Sequence, residues 1–167
     1  MKNLVLLLAT ACVLFTSCSI EPVETVSFEG TWKLTEWSVN IPIDLNNDVI
    51  ESTNLLDEID CESHETLVFD SQGTVISNFT FNPKVDIALV DASTNNYEVL
   101  VECDTEGVIS TATTYVRDKN VLIIDDRMAT FKNDKLVIVF KDAQKIYNQD
   151  FTSVIGTKNL KLVYTKL

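Results

Sequence analysis

The chain has 167 residues, 25 of them acidic and 13 basic, for a net charge of −12 with its single histidine neutral. A surface this acidic repels nucleic acid and anionic head groups, so no nucleic-acid partner is expected. One histidine and no glycine-rich phosphate loop leave few parts for a catalytic centre, and no enzymatic activity is expected.

In chain order, Lys2 precedes an apolar run from Leu4 to Phe15 that is interrupted only by Thr10, and Thr16-Ser17-Cys18 follows. A positive start, a short apolar stretch and small residues before a cut are the parts of a secretory signal. The run is shorter than the roughly 20 residues a spanning helix needs. Leu14-Phe15-Thr16-Ser17-Cys18 resembles the lipobox of bacterial lipoproteins. That resemblance implies a signal peptide over residues 1–17, acylation of Cys18 by palmitate-like chains, and a mature chain held on a membrane of the cell envelope, with the outer membrane the expected one. Two or three acyl chains anchor far better than one, because each buried methylene contributes about 0.8 kcal/mol. Cys12 and Lys2 leave with the leader. Residues 18–27 form the lipid anchor and tether, and residues 28–167 suit one domain with its own core.

From Phe28 onward the chain shows period-two alternation, β-branched residues and frequent turn signals. Phe28–Asn40 is the first strand region. Trp32 and Leu34 share a face, whereas Trp37 and Val39 have the other parity, so a bulge or bend near Glu36 is expected. Asp44-x-Asn46-x-Asp48 offers oxygen donors at positions 1, 3 and 5 of a calcium loop, but Val49 and Leu55 stand where such a loop needs glycine and a bidentate carboxylate. Calcium at Asp44, Asn46 and Asp48 is one reading; a solvated acidic loop without a cofactor is the other. Asn54–Asp60 and Asp142–Gln149 are the two helical candidates.

Cys61 and Cys103 are the thiols left in an oxidising compartment, which makes them disulfide partners. The alternative is a metal at Cys61-x-x-His64, for which no further cysteine or histidine completes a tetrad. Glu65–Asp70 and Thr74–Asn82 flank the turn Ser71-Gln72-Gly73, with Leu67 and Phe69 alternating in the first arm and Val75, Phe79 and Phe81 in the second. Val85–Val90 and Tyr97–Cys103 form a second hairpin, in which Tyr97, Val99, Val101 and Cys103 share the apolar face. Strands then follow at Gly107–Arg117, Val121–Ile124, Ala129–Lys132, Leu136–Lys141 and Leu160–Lys166, with Asp125-Asp126 read as a turn. About eight to ten short antiparallel strands without long helices predict an all-β fold, a sandwich or an up-and-down β-barrel.

Gly30-Thr31-Trp32 at the start of the first strand, Leu67 to Val75 with its turn, and the later Thr113-Thr114-Tyr115 and Val121-Leu122-Ile123 resemble, in order and spacing, the lipocalin-like domains of bacterial lipoproteins. The resemblance covers most of residues 28–167. It implies an antiparallel up-and-down barrel, the lipocalin-like calyx, with Trp32 packed across its closed end. True lipocalins cover that tryptophan with an arginine near the carboxyl end; here the only arginines are Arg117 and Arg127. Leu67, Phe69, Phe79, Phe81, Tyr97 and Val99 are the expected walls of a site for a small apolar ligand. The same residues fill a narrow barrel as plain core. In that case the chain is a structural or adaptor lipoprotein that recognises an envelope protein or glycan through loops such as Ile41–His64. An interior cavity above roughly 300 Å³ separates the two readings.

Overall fold

The computed structural model describes residues 27–103 and 110–167. The leader, Cys18 and most of the tether lie outside the described residues, as does Gly107. Among the described residues eleven strands run in chain order: β1 (Gly30–Ile43), β2 (Ser52–Asn54), β3 (Thr66–Phe69), β4 (Thr74–Asn78), β5 (Lys84–Asp91), β6 (Asn96–Glu102), β7 (Thr111–Asp118), β8 (Val121–Ile124), β9 (Arg127–Lys132), β10 (Lys135–Asn148) and β11 (Val154–Lys166). Eight of them close into an antiparallel barrel in the order β1-β3-β4-β7-β8-β9-β10-β11, and β11 pairs back onto β1. With β2 and the β5–β6 hairpin set aside, every barrel neighbour is also a chain neighbour, so the barrel is up-and-down. Closure removes the unpaired edges of an open sheet.

Two expectations need correction. Asn54–Asp60 forms only a short 3₁₀ turn, Leu55–Asp57, with the Asn54 side chain accepting from the Leu56 amide. Asp142–Gln149 is not helical: β10 continues through Asn148, pairing with β11 on one side and in parallel with β5 on the other, where Ile146 lies beside Ile87. Two flanking ladders outweigh the local helix propensity of Ala143, Gln144 and Lys145. The Gln144 amide donates to the Val85 carbonyl at 2.8 Å, which ties this extension to β5.

The parity change in β1 is resolved by a register shift between Leu34 and Glu36. A bulge leaves backbone groups without ladder partners, and Asn54 supplies them. Its Oδ1 accepts from the Trp37 amide at 2.9 Å and its Nδ2 donates to the Thr35 carbonyl at 3.1 Å. Leu34 therefore faces the barrel core, whereas Trp37, Val39 and Ile41 join a second core beneath β5, β6 and the end of β10.

One end of the barrel is plugged by rings. Phe28, Phe69 and Tyr115 meet edge to face at 5.1–6.0 Å, and the Tyr115 hydroxyl donates to the Asp70 carbonyl. Trp32 is fully buried, donates from Nε1 to the Phe28 carbonyl at 2.7 Å and stands edge to face with Phe131 at 5.5 Å. Lys166 Nζ lies 6.0 Å from the Trp32 ring centre. Arg117 covers Phe28 at 4.6 Å. The β3–β4 turn below is fixed by Gly73, at a φ of 87°, and by Asp70, whose Oδ1 accepts from the Gln72 and Thr74 amides at 2.8 and 2.7 Å.

Cys61 and Cys103 form a disulfide with their Cα atoms 5.4 Å apart. It joins the segment after the 3₁₀ turn to the end of β6, so the two excursions from the barrel are stapled to each other.

Candidate functional site

The opposite end of the barrel is open. Residue 65 precedes β3 and has the parity of Leu67 and Phe69, so a carboxylate points where the strand otherwise places core. Glu65 is buried, 5 % exposed. Its Oε1 accepts from the Tyr164 hydroxyl at 2.5 Å and its Oε2 from the Phe81 amide at 2.8 Å. Burial raises the Glu65 carboxyl above its ordinary range, while the Tyr164 hydroxyl and the Phe81 amide pull it down. Burial also raises the Tyr164 phenol, as do the negative charge of Glu65 and the hydrogen bond to it.

This pair lines a cavity of about 570 Å³ at the barrel mouth, within the range of roughly 300–1,000 Å³ typical of small-molecule sites. One wall is apolar, from Trp37, Leu67, Ile138, Phe140, Leu160 and Leu162. Ser77, Thr80, Asn82, Thr111 and Thr113 add polar groups to the lining. Asp125 and Arg127 stand at the β8–β9 turn. Arg127 is the first residue of β9, with the parity of the buried Ala129 and Phe131, and its guanidinium lies over the Phe140 ring at 5.4 Å. The barrel is thus packed with rings in one half and hollow in the other.

Of the six wall residues expected from sequence, Leu67 and Phe81 line this cavity. Phe69 belongs to the aromatic plug at the far end. Phe79 is half exposed because the chain leaves β4 there with a φ of 54°, which breaks the alternation. Tyr97 and Val99 lie on β6, outside the barrel, where they pack against the second core. Tyr97 also borders an outer groove of about 810 Å³ between the end of β1 and the β5–β6 turn.

The sequence reading missed Glu65, Tyr164 and Arg127 as a group. Strand parity was the available signal, since Glu65 and Arg127 are charged residues at inward positions.

No family model, curated protein or solved structure matches the chain.

The acidic loop offers little to a cation. Asp44 Oδ1 accepts from the Asp48 amide at 3.2 Å and Oδ2 from the Val49 amide at 3.0 Å; Asn46 Oδ1 and Asp48 Oδ1 accept from the amides of Asp48 and Ile50. These oxygens close the turn on itself. Among the described residues no group of three or more His, Cys, Asp or Glu side chains is arranged to hold a metal ion. His64 is exposed, with Nε2 3.5 Å from Glu62.

Proposed function

We propose that this chain is a lipid-anchored envelope protein whose barrel mouth binds a small, largely apolar ligand. The carrying observation is the cavity of about 570 Å³. A continuous apolar wall beside a few placed polar groups is the usual composition of a small-molecule site, where apolar contact supplies affinity and polar groups set orientation. The plugged far end makes it a one-mouthed cup. The anchor is supported by the leader-like run from Leu4 to Phe15 and the lipobox-like residues up to Cys18. Under this reading the acyl chains hold the domain at a membrane, and the cup serves carriage or sensing of a ligand, with no bond made or broken.

Native mass spectrometry of the protein extracted from its own host tests the binding. A copurifying small apolar molecule is the expected result, and its displacement should change the fluorescence of Trp37, which lines the cavity, in a Trp32→Phe background. A protein that carries no such molecule, and whose Trp37 emission responds to no apolar compound, overturns it. Growth with labelled fatty acid tests the anchor separately: label on the wild type and none on Cys18→Ser is expected.

A further inference from the structure

We infer that the mouth cavity selects an amphiphile with a carboxylate head, and that Arg127 is the residue that holds the head. This rests on the ligand-binding reading above and adds the chemistry of the ligand's polar end.

Two carboxylates and one guanidinium line the cavity. Glu65 has both oxygens engaged, one by the Tyr164 hydroxyl and the other by the Phe81 amide. Asp125 accepts from the Thr113 hydroxyl at 3.2 Å. Arg127 is different. It brings five N–H donors in a planar fork, and among the described residues no carboxylate oxygen lies within 4.0 Å of it. Its ring contact with Phe140 places the exposed guanidinium against the apolar wall at the mouth. Arg127 is exposed, so the fork sits at the rim of the mouth.

The layout is that of an amphiphile's negative image. Leu67, Phe140, Leu160 and Leu162 present apolar surface, and the fork of donors stands beside it at the rim. A carboxylate meets that fork with two parallel charge-assisted hydrogen bonds, the strongest pairing available to an arginine. A neutral alcohol of the same length supplies one weaker acceptor. An alkylammonium meets the guanidinium's repulsion, and its attraction to Asp125, whose Oδ1 already accepts from Thr113, would have to outweigh it.

The test compares dodecanoate, dodecan-1-ol and dodecylamine as probes of the full chain in nanodiscs, read by Trp37 fluorescence in the Trp32→Phe background. Partition into the disc lipid is common to all variants, so the comparison is between wild type, Arg127→Gln and Arg127→Lys. Dodecanoate should bind about tenfold tighter than dodecan-1-ol. Arg127→Gln should erase that difference by weakening dodecanoate alone, and Arg127→Lys, which keeps the charge without the fork, should fall between. Equal binding of acid and alcohol in the wild type, or an Arg127→Gln variant that keeps the preference, overturns the assignment and leaves the cavity reading intact. Dodecylamine as the tightest probe overturns it in favour of the carboxylates. Failure of all three probes to bind overturns both readings. An unchanged melting temperature confirms that Arg127→Gln is folded.

Discussion

The Tyr164 hydroxyl meets Glu65 Oε1 at 2.5 Å, joining β11 to the segment that leads into β3. Both groups are buried, and the second carboxylate oxygen holds the Phe81 amide at 2.8 Å, so three segments of the mouth meet at one side chain. Removing one partner of a buried hydrogen bond strands the other, at a cost of about 1–3 kcal/mol. Tyr164→Phe should lower unfolding stability by that amount, measured from urea midpoints.

The same carboxyl gives the mouth a pH signature. Burial raises it in the folded state. A raised folded-state pKa favours the protonated form, so the group's contribution to stability is full below its unfolded pKa and is lost as the pH rises through the folded one. Glu65→Gln does not titrate. The stability lost in Glu65→Gln should therefore grow as the pH is lowered from 8 toward 5, in urea unfolding curves taken across that range.

Reducing the Cys61–Cys103 bond, which spans a sequence separation of 42 residues, should destabilise the fold by about 4 kcal/mol on a chain-entropy estimate. Thermal melts of the Cys61→Ser/Cys103→Ser double variant should match those of the wild type in reductant.

The aromatic plug should be the most sensitive packing site. Phe28 touches Phe69 and Tyr115 edge to face, accepts the Trp32 Nε1 hydrogen bond at its carbonyl and lies beneath Arg117. Phe28→Ala should cost roughly 3–5 kcal/mol, measured from urea midpoints, while the Trp37 emission from the other end of the barrel changes far less in any variant that remains folded.

Calcium should leave the melting temperature unshifted at millimolar concentration. The carboxylate oxygens of Asp44 are oriented toward the amides of Asp48 and Val49, and among the described residues no group of three or more carboxylate, thiol or imidazole side chains is arranged around a cation. Calorimetric titration checks the same point.

Much of the barrel was legible because period-two alternation carries face information directly. Leu67 and Phe69, Tyr97 to Val101, and Leu160 to Tyr164 all turn the faces expected of them, and the conflict between Trp32 and Trp37 pointed to the bulge that the structure contains. The failures have physical causes. Phe79 takes a positive φ without being glycine, and nothing in its residue type announces that. Residues 142–148 form strand because β5 and β11 lie on either side, a tertiary fact that local propensity does not encode. Hydrophobicity alone does not locate the mouth cavity, because core and cavity wall share it. The cavity's distinguishing members, Glu65 and Arg127, are charges on the inward parity of apolar strands.

The ladder between β1 and β11, in which Trp32 lies opposite Lys166, has a consequence for biosynthesis. A ribosome adding about 5–20 residues per second releases β11 on the order of ten seconds after β1. Throughout that interval the first strand has no permanent neighbour on one side, and the nascent sheet is an open ribbon able to pair with other chains. Long-range pairing of this kind also slows the final zipping step. Until the last strand arrives, the bare edge of β1 is where association with other chains is most easily seeded.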